Sequence, residues 1–494
     1  MTALELSRLQ FAVVTVYHYL FVPLSISLSA LTAGLQTAWW RTADPRFGRA
    51  TMLVGKLLMA TFAVGVVTGL VQEFQFGLSW SVFAQYYGDV FGPTLAIEGM
   101  LAFFLEATFL GLWWFGRDRL RPALHLATIW VVAVGTLISA YVILAANAFM
   151  QHPVGVALDP TTGRARLGSF GALMSNEVVL AAFPHTIAGA FMAGGALLLA
   201  LGVWRRWPRR SPCQKGFILT SDVSGGTSLT TDEGPVWRLL ARVGAWTTLV
   251  GGVAVALSGD YLGKVMTEVQ PMKMAAAEAL YETTAHAPFS LFAVQLPGQE
   301  QPWSLDVPWL LSFLATGDPT ATVQGIDDLQ AQYATQFGAG NYTPWIPVAY
   351  WTFRLMIGFG VLATVVAAWV LWRTRRGRDL EPDGRGWYPF ADRWLTRLLP
   401  VIPALPAAAA TVGWLFTETA RQPWLVFGLF RTADGVSPTL TPTELVASLA
   451  GFALVYGVLA VVWVRLVLHV SRGDLVDLHP DPAPDEDPVL EPSY

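Results

Sequence analysis

Hydrophobic residues run along this chain in long blocks. They lack both the two-residue alternation of half-buried strands and the one-sided stripe of soluble helices. A bilayer crossing needs about 20 mostly apolar residues. Nine blocks qualify: 11–40, 52–72, 91–115, 123–147, 178–203, 240–262, 347–372, 397–419 and 446–469. The pattern predicts an all-α, polytopic membrane bundle of nine transmembrane helices. The opening MTALELSRLQ has neither a basic stretch nor a cleavage site, so it reads as a retained first helix rather than a signal peptide.

The connections between blocks set the orientation. One alternating set holds 21 Lys and Arg, and the opposite set holds 6: Arg164, Arg166, Lys264, Lys273, Arg421 and Arg431. Basic residues mark the cytoplasmic side, so the N-terminus is expected outside and the C-terminus in the cytoplasm. Residues 211–235 are rich in Ser, Thr and Gly and read as a flexible cytoplasmic loop, and the acidic, proline-rich 473–494 reads as a disordered cytoplasmic tail. The external connection 263–346 carries eight acids, two lysines and no arginine. It is too long for a plain link and is expected to be functional. These breaks divide the chain into helices one to six (1–262), the outer loop (263–346), helices seven to nine (347–472) and the tail.

Composition narrows the class. Charged residues make up 13% of the 494, about half the ~25% of an ordinary soluble domain, which excludes a soluble enzyme and a disordered chain. A net charge of −4 leaves no basic footprint for nucleic acid. The lone Cys213 excludes a disulfide framework, a CxxC zinc site and CxxCH haem attachment. No internal repeat points to an inverted-repeat transporter.

Ionisable side chains inside a span are costly and mark function by default. They are few: His18, Glu98, Glu106, His185, Arg354 and Glu418, with Glu177, Met356 and Arg421 close by. On the predicted orientation, His18, Glu98, His185, Met356 and Glu418 share one outer slab. Taken singly, each also reads as ordinary packing: a buried His as an interhelical partner, Met356 as core filler, Glu98 as a partner for Arg354, Glu418–Arg421 as a plain i,i+3 pair. Together they suit haem iron, which takes His and, for a higher potential, an axial Met. His185 and Met356, from different helices, can clamp one haem from both faces. His18 and Glu418 can each hold a haem from one face, leaving room for oxygen. Glu98 and Glu106, eight residues apart, would step about 12 Å along an α-helix and can relay protons from the cytoplasm to an outer reaction site. Without haem, the same charges would describe a proton-coupled transporter.

Seven segments in order carry a more specific signal: YHYLFVPLSI around His18, TGLVQEFQFGLSW at 68–80, GPTLAIEGMLAFFLEATFLGLW at 92–113, ISAYVILAANAFMQHPVG at 138–155, KMAAAEALYET at 273–283, YWTFRLMIGFG at 350–360 and GWLFTETARQPW at 413–424. Through them the chain resembles subunit I of the cytochrome bd quinol oxidases over roughly residues 5–470. The resemblance implies a haem-bearing subunit of a terminal quinol:oxygen oxidoreductase in the bacterial cytoplasmic membrane. It would oxidise ubiquinol or menaquinol outside and reduce O2 with cytoplasmic protons, building a proton gradient without a pump. It implies a low-spin haem b on His185 and Met356 with Arg354 beside it, and a high-spin haem b and a haem d shared between His18 and Glu418 in unassigned order. Arg421 would neutralise a propionate or Glu418. Glu98 would sit beside the oxygen-reducing iron, with Glu106 and Ser139 on its proton path. Lys273 and Glu278 would bind quinol. The partners implied are a second large membrane subunit and often a small single-span one. A variant with only b-type haems would show the same ligands. Three departures stand out: a short quinol loop, ARQPW where GRQPW is usual (Ala420), and a long 205–237 loop.

Overall fold

The computed structural model describes residues 2–206, 233–294, 303–375, 398–473 and 475. The flexible-loop reading of 211–232, Cys213 and the tail reading of 476–494 lie outside the described residues. The long helices are α1 (Ala3–Tyr19), α2 (Val22–Thr42), α3 (Pro45–Leu78), α4 (Ser81–Glu98), α5 (Ala107–Phe115), α6 (Pro122–Gln151), α8 (Glu177–Arg206) and α9 (Gly234–Val269), then α13 (Ile346–Arg373), α14 (Ala404–Thr419) and α15 (Pro442–Arg472). Shorter α7 (Phe170–Met174), α10 (Pro271–Glu278), α11 (Leu310–Thr316) and α12 (Ile326–Phe337) lie in the connections, with four two-stranded antiparallel ribbons.

Among the described residues, eight helical runs are long and apolar enough to cross a membrane. The predicted span at 91–115 is not among them. It forms part of a run from Ser81 to Phe115 whose middle, Gly99–Glu106, is wound as a π-helix between α4 and α5. The predicted single span 11–40 is also two helices. Pro23 has no N–H to donate, and Leu20 and Phe21 close short bonds of 3.2 and 3.0 Å to Tyr17 and His18 carbonyls instead. The breaks fall beside His18 and between Glu98 and Glu106. The predicted ends of several spans are also short: α3 runs on to Leu78 and α9 to Val269, taking the first residues of the predicted outer loop into a helix.

The bundle packs α2 against α3, α6 and α8, α8 against α9, α9 against α13, and α13 against α14. The α8–α9 seam is built from small residues that let backbones meet. A Cβ on Gly244 would lie 2.3 Å from the Leu199 nitrogen, and one on Gly195 2.6 Å from the Thr248 nitrogen. Overpacking of this kind costs about 1–3 kcal/mol. Gly244→Val is therefore expected to lower the thermal midpoint of the detergent-solubilised protein, read by loss of monodisperse protein on heating. A midpoint equal to that of the parent would contradict the close seam.

At one end of the bundle three side chains form a closed ring. Trp113 Nε1 donates to Gln36 Oε1 (2.7 Å), Gln36 Nε2 meets His125 Nδ1 (2.8 Å), and His125 Nε2 meets the Trp113 carbonyl (2.7 Å). Leu53, Leu57, Ile129 and Leu240 close around the same region. The described residues of the 263–346 connection are folded. Met272, Ile326, Leu329, Tyr333, Tyr342 and Trp424 make a core of their own that ties α10 and α12 to the segment after α14.

Candidate functional site

Four cavities hold the chemistry, each anchored where a helix is broken, kinked or thinned by glycine. The first, of about 180 Å³, is lined by His18, Glu73, Glu98, Glu106, Thr136 and Ser139. His18 Nδ1 lies 3.0 Å from Thr68 Oγ1, whose own hydrogen goes to the Val64 and Gly65 carbonyls. That bond makes Nδ1 the protonated nitrogen and leaves Nε2 as a lone pair. Gly69 gives the ring room: a Cβ there would sit 3.1 Å from His18 Cε1. Ser139 Oγ donates to Glu98 Oε1 at 3.4 Å. Glu106 is 4% exposed, and its Oε1 has no partner. The i→i+5 winding of 99–106 means that the α-helical step expected between the two acids does not apply, yet both line one cavity.

Glu73 is a site residue that sequence reasoning missed. It lines the same cavity as Glu98 and Glu106. Ending the second span at 72 hid it; the signal was an acid inside a continuous apolar run.

The second cavity, about 550 Å³, is lined by His185, Met356, Glu278 and the glycines Gly252, Gly259 and Gly360. Pro184 inside α8 precedes His185. His185 Nδ1 points at the Val255 carbonyl, 3.2 Å away, again leaving Nε2 free. A backbone carbonyl on the far nitrogen is the usual support of a metal-bound imidazole. Glycines line both candidate ligands. A Cβ on Gly259 would meet His185 Cε1 at 3.1 Å, and one on Gly413 would meet Met356 Sδ at 2.7 Å. A third cavity, about 210 Å³, is shared by His185 and Met356 with Asn147, Gln151 and Lys273. An apolar slot with one lone pair and one thioether facing it fits a planar iron cofactor.

The fourth, about 110 Å³, is lined by Arg8, Trp80, Trp414, Glu418 and Arg421. Arg421 Nη2 donates to Glu418 Oε2 at 2.6 Å, with the arginine side chain 1% exposed. Its Nε and Nη1 are buried without a partner. Buried guanidinium donors left open are costly and fit a carboxylate-bearing group such as a haem propionate. Ala420 ends α14 with φ −77°, ψ −9°. That is ordinary right-handed backbone, so alanine replaces the usual glycine there without strain.

The residues expected at quinol do not face each other. Lys273 (3% exposed) and Glu278 (6%) are both buried on α10 and take different partners. Lys273 Nζ donates to Gln151 Oε1 at 2.5 Å. Glu278 holds Arg354 through two bonds, 2.5 and 3.2 Å. Arg354 also donates to the Ser290 and Ala277 carbonyls (2.6 and 3.0 Å) and lies over the Tyr350 ring. Its guanidinium is thus committed to the outer loop. Burial, and then Arg421 nearby, pull the Lys273 ammonium below the ordinary lysine range. Burial pushes the Glu278 carboxyl up against the opposing pull of Arg354.

Comparison with known proteins agrees over nearly the whole chain. The family model described as Cytochrome bd terminal oxidase subunit I matches residues 6–474. Cytochrome bd ubiquinol oxidase subunit 1 of Bacillus subtilis (strain 168) is 37% identical, covering 100% of this chain and 99% of the relative. Cytochrome bd-II ubiquinol oxidase subunit 1 of Escherichia coli (strain K12) is 31% identical, covering 95% and 96%. The solved structure of bd oxidase from Geobacillus thermodenitrificans superposes with a TM-score of 0.80 at 28% identity, covering 95% of this chain and 98% of that one.

Proposed function

The chain belongs to the cytochrome bd terminal oxidase subunit I family and is a subunit of a quinol oxidase; from that premise we propose how its residues divide the work. The transporter reading of Glu98, Glu106 and Arg354 gives way to this membership. The family implies haem cofactors. We assign the low-spin haem b to His185 and Met356, and the high-spin haem b and haem d to His18 and Glu418. When bound, these groups carry electrons and reduce oxygen.

The protein's part is ligation, burial and proton delivery. His18 and His185 offer Nε2 because their Nδ1 atoms are held by Thr68 and Val255. Arg421, with two open donors, receives a propionate and steadies Glu418. Arg354 and Glu278 fix the outer loop to α13, so that quinol meets Glu278 on the large cavity and Lys273 on the third. Cytoplasmic protons reach the site by way of Glu106 and Glu98, with Ser139 holding the Glu98 carboxyl and Glu73 in the same cavity. Nine spans, an external N-terminus, a cytoplasmic C-terminus and the 1–262, 263–346, 347–472 and 473–494 division complete the arrangement, in a bacterial cytoplasmic membrane beside a second large subunit and a small one.

The observation that carries this reading is the shared cavity of His185 and Met356, with the His185 tautomer set for ligation. The first test is a dithionite-reduced minus air-oxidised spectrum of membranes holding this chain and its partner subunit. Haem b bands with a far-red chlorin band support the assignment. Haem b bands alone would replace haem d by a third haem b, and no haem would overturn the reading.

Lys273→Ala should raise the apparent quinol KM about tenfold or more, the worth of one hydrogen bond to a charged group, with the haem spectrum unchanged. Loss of haem in that variant would make Lys273 structural instead.

A further inference from the structure

A chain of side-chain bonds runs from the outer loop to the helix that carries Glu418. Lys273 Nζ donates to Gln151 Oε1 (2.5 Å), Gln151 Nε2 to Asn147 Oδ1 (2.9 Å), and Asn147 Nδ2 to Glu418 Oε1 (3.0 Å). Every donor points the same way. A lysine ammonium at one end can only donate, and a carboxylate at the other can only accept. The two amides between them are therefore fixed head to tail, with no choice of flip.

The chain is well supported. Asn147 and Gln151 stand one turn apart on α6. Gln151 is 4% exposed. Its carbonyl also accepts from Gln270 Nε2 at 2.8 Å, which locks the end of α6 to the start of α10. On the far side Arg421 holds the other Glu418 oxygen. The carboxylate thus has one bond from its own helix terminus and one from Asn147 on α6.

We propose that Gln151 and Asn147 are positioning residues that couple Lys273 of the quinol loop to Glu418, so that the state of the loop is felt by the haem which Glu418 holds. The inference rests on the ligand and quinol roles given above. Its physical basis is that a ligating carboxylate relieved of a hydrogen bond is a stronger electron donor. Losing Asn147 relieves Glu418 of that bond outright, and losing Gln151 or Lys273 weakens it by unfixing the Asn147 amide; each favours the oxidised iron on Glu418 and lowers that midpoint. Asn147, Gln151 and Lys273 also line the third cavity with His185 and Met356, but no bond of the chain reaches either of those ligands.

The test is a spectroelectrochemical titration of the whole enzyme with Gln151→Leu, Lys273→Met, their double variant and Glu418→Gln. Each single change in the chain should lower one high-spin midpoint by about tenfold in the oxidation equilibrium, ~59 mV for one electron. The double variant should move no further than the larger single, because one chain is broken once. The low-spin midpoint should move by less, since no bond of the chain reaches its ligands. Midpoints at the parent value, or shifts that simply add, would overturn the coupling. If Gln151→Leu does not assemble, Asn147→Leu removes the bond to Glu418 itself and must lower the same midpoint by at least as much. Glu418→Gln separates the two levels. Loss of one high-spin signal there upholds the ligand role, and unmoved midpoints elsewhere then overturn the coupling alone. If every haem signal survives in Glu418→Gln, the ligand role falls and the coupling with it.

Discussion

His185→Ala should abolish the low-spin haem signal and bring quinol oxidation to background, the largest effect expected of any single change here. Nothing else among the residues lining that cavity offers a second imidazole; its walls are mostly glycine, alanine and aliphatic side chains. The ring is held at Nδ1 by the Val255 carbonyl, with Ser258 Oγ 3.4 Å from the same nitrogen, and is given room by Gly259. Met356→Leu should act alike at the other face, since leucine keeps the volume and loses the sulfur lone pair. The check is a pyridine haemochrome count beside the reduced-minus-oxidised spectrum: one haem lost, two kept. A low-spin band at full strength in Met356→Leu would remove that residue from the ligand set.

Glu106→Gln should slow steady-state oxygen consumption by about a hundredfold, the lower range for loss of a positioned proton-transfer group, while haem content stays at the parent level. Glu106 sits 4% exposed with one oxygen unpartnered. Glutamine fills the same space and carries no exchangeable acid proton. Oxygen uptake and haem content measured on one preparation separate a proton defect from an assembly defect. Turnover at the parent rate would reject the path, and a loss of haem would recast Glu106 as a packing residue.

The sequence made most of this legible because the chemistry is sparse. In so apolar a chain an ionisable residue within a span stands out, and His18, Glu98, Glu106, His185, Arg354 and Glu418 were found for that reason. Hydropathy blocks also placed the bundle, since backbone groups in a bilayer leave few alternatives to helices. What escaped was phase and ends. A block average cannot register the break at Leu20–Phe21 or the π-winding of 99–106, which change hydrogen bonding without changing composition. It stops at the first polar residue, and so Glu73 and Arg8 fell outside spans that in fact contain them. Asn147 and Gln151 carry no charge and gave no signal until three elements were packed together. The resemblance through KMAAAEALYET puts Lys273 and Glu278 at one quinol site, whereas the fold gives the two side chains different partners.

The wide turn between Glu98 and Glu106 has a bearing on how this protein tolerates change. Helical backbone, α or π, turns by roughly a quarter of a circle with each residue. Gaining or losing one position inside 99–106 would therefore swing everything beyond it by about that much, carrying Trp113 away from Gln36 and Glu106 out of its cavity. Substitutions in the stretch leave the angle alone. What the segment stores is a tally of residues, so length there is under tighter constraint than identity, the reverse of what its uniformly greasy spelling suggests.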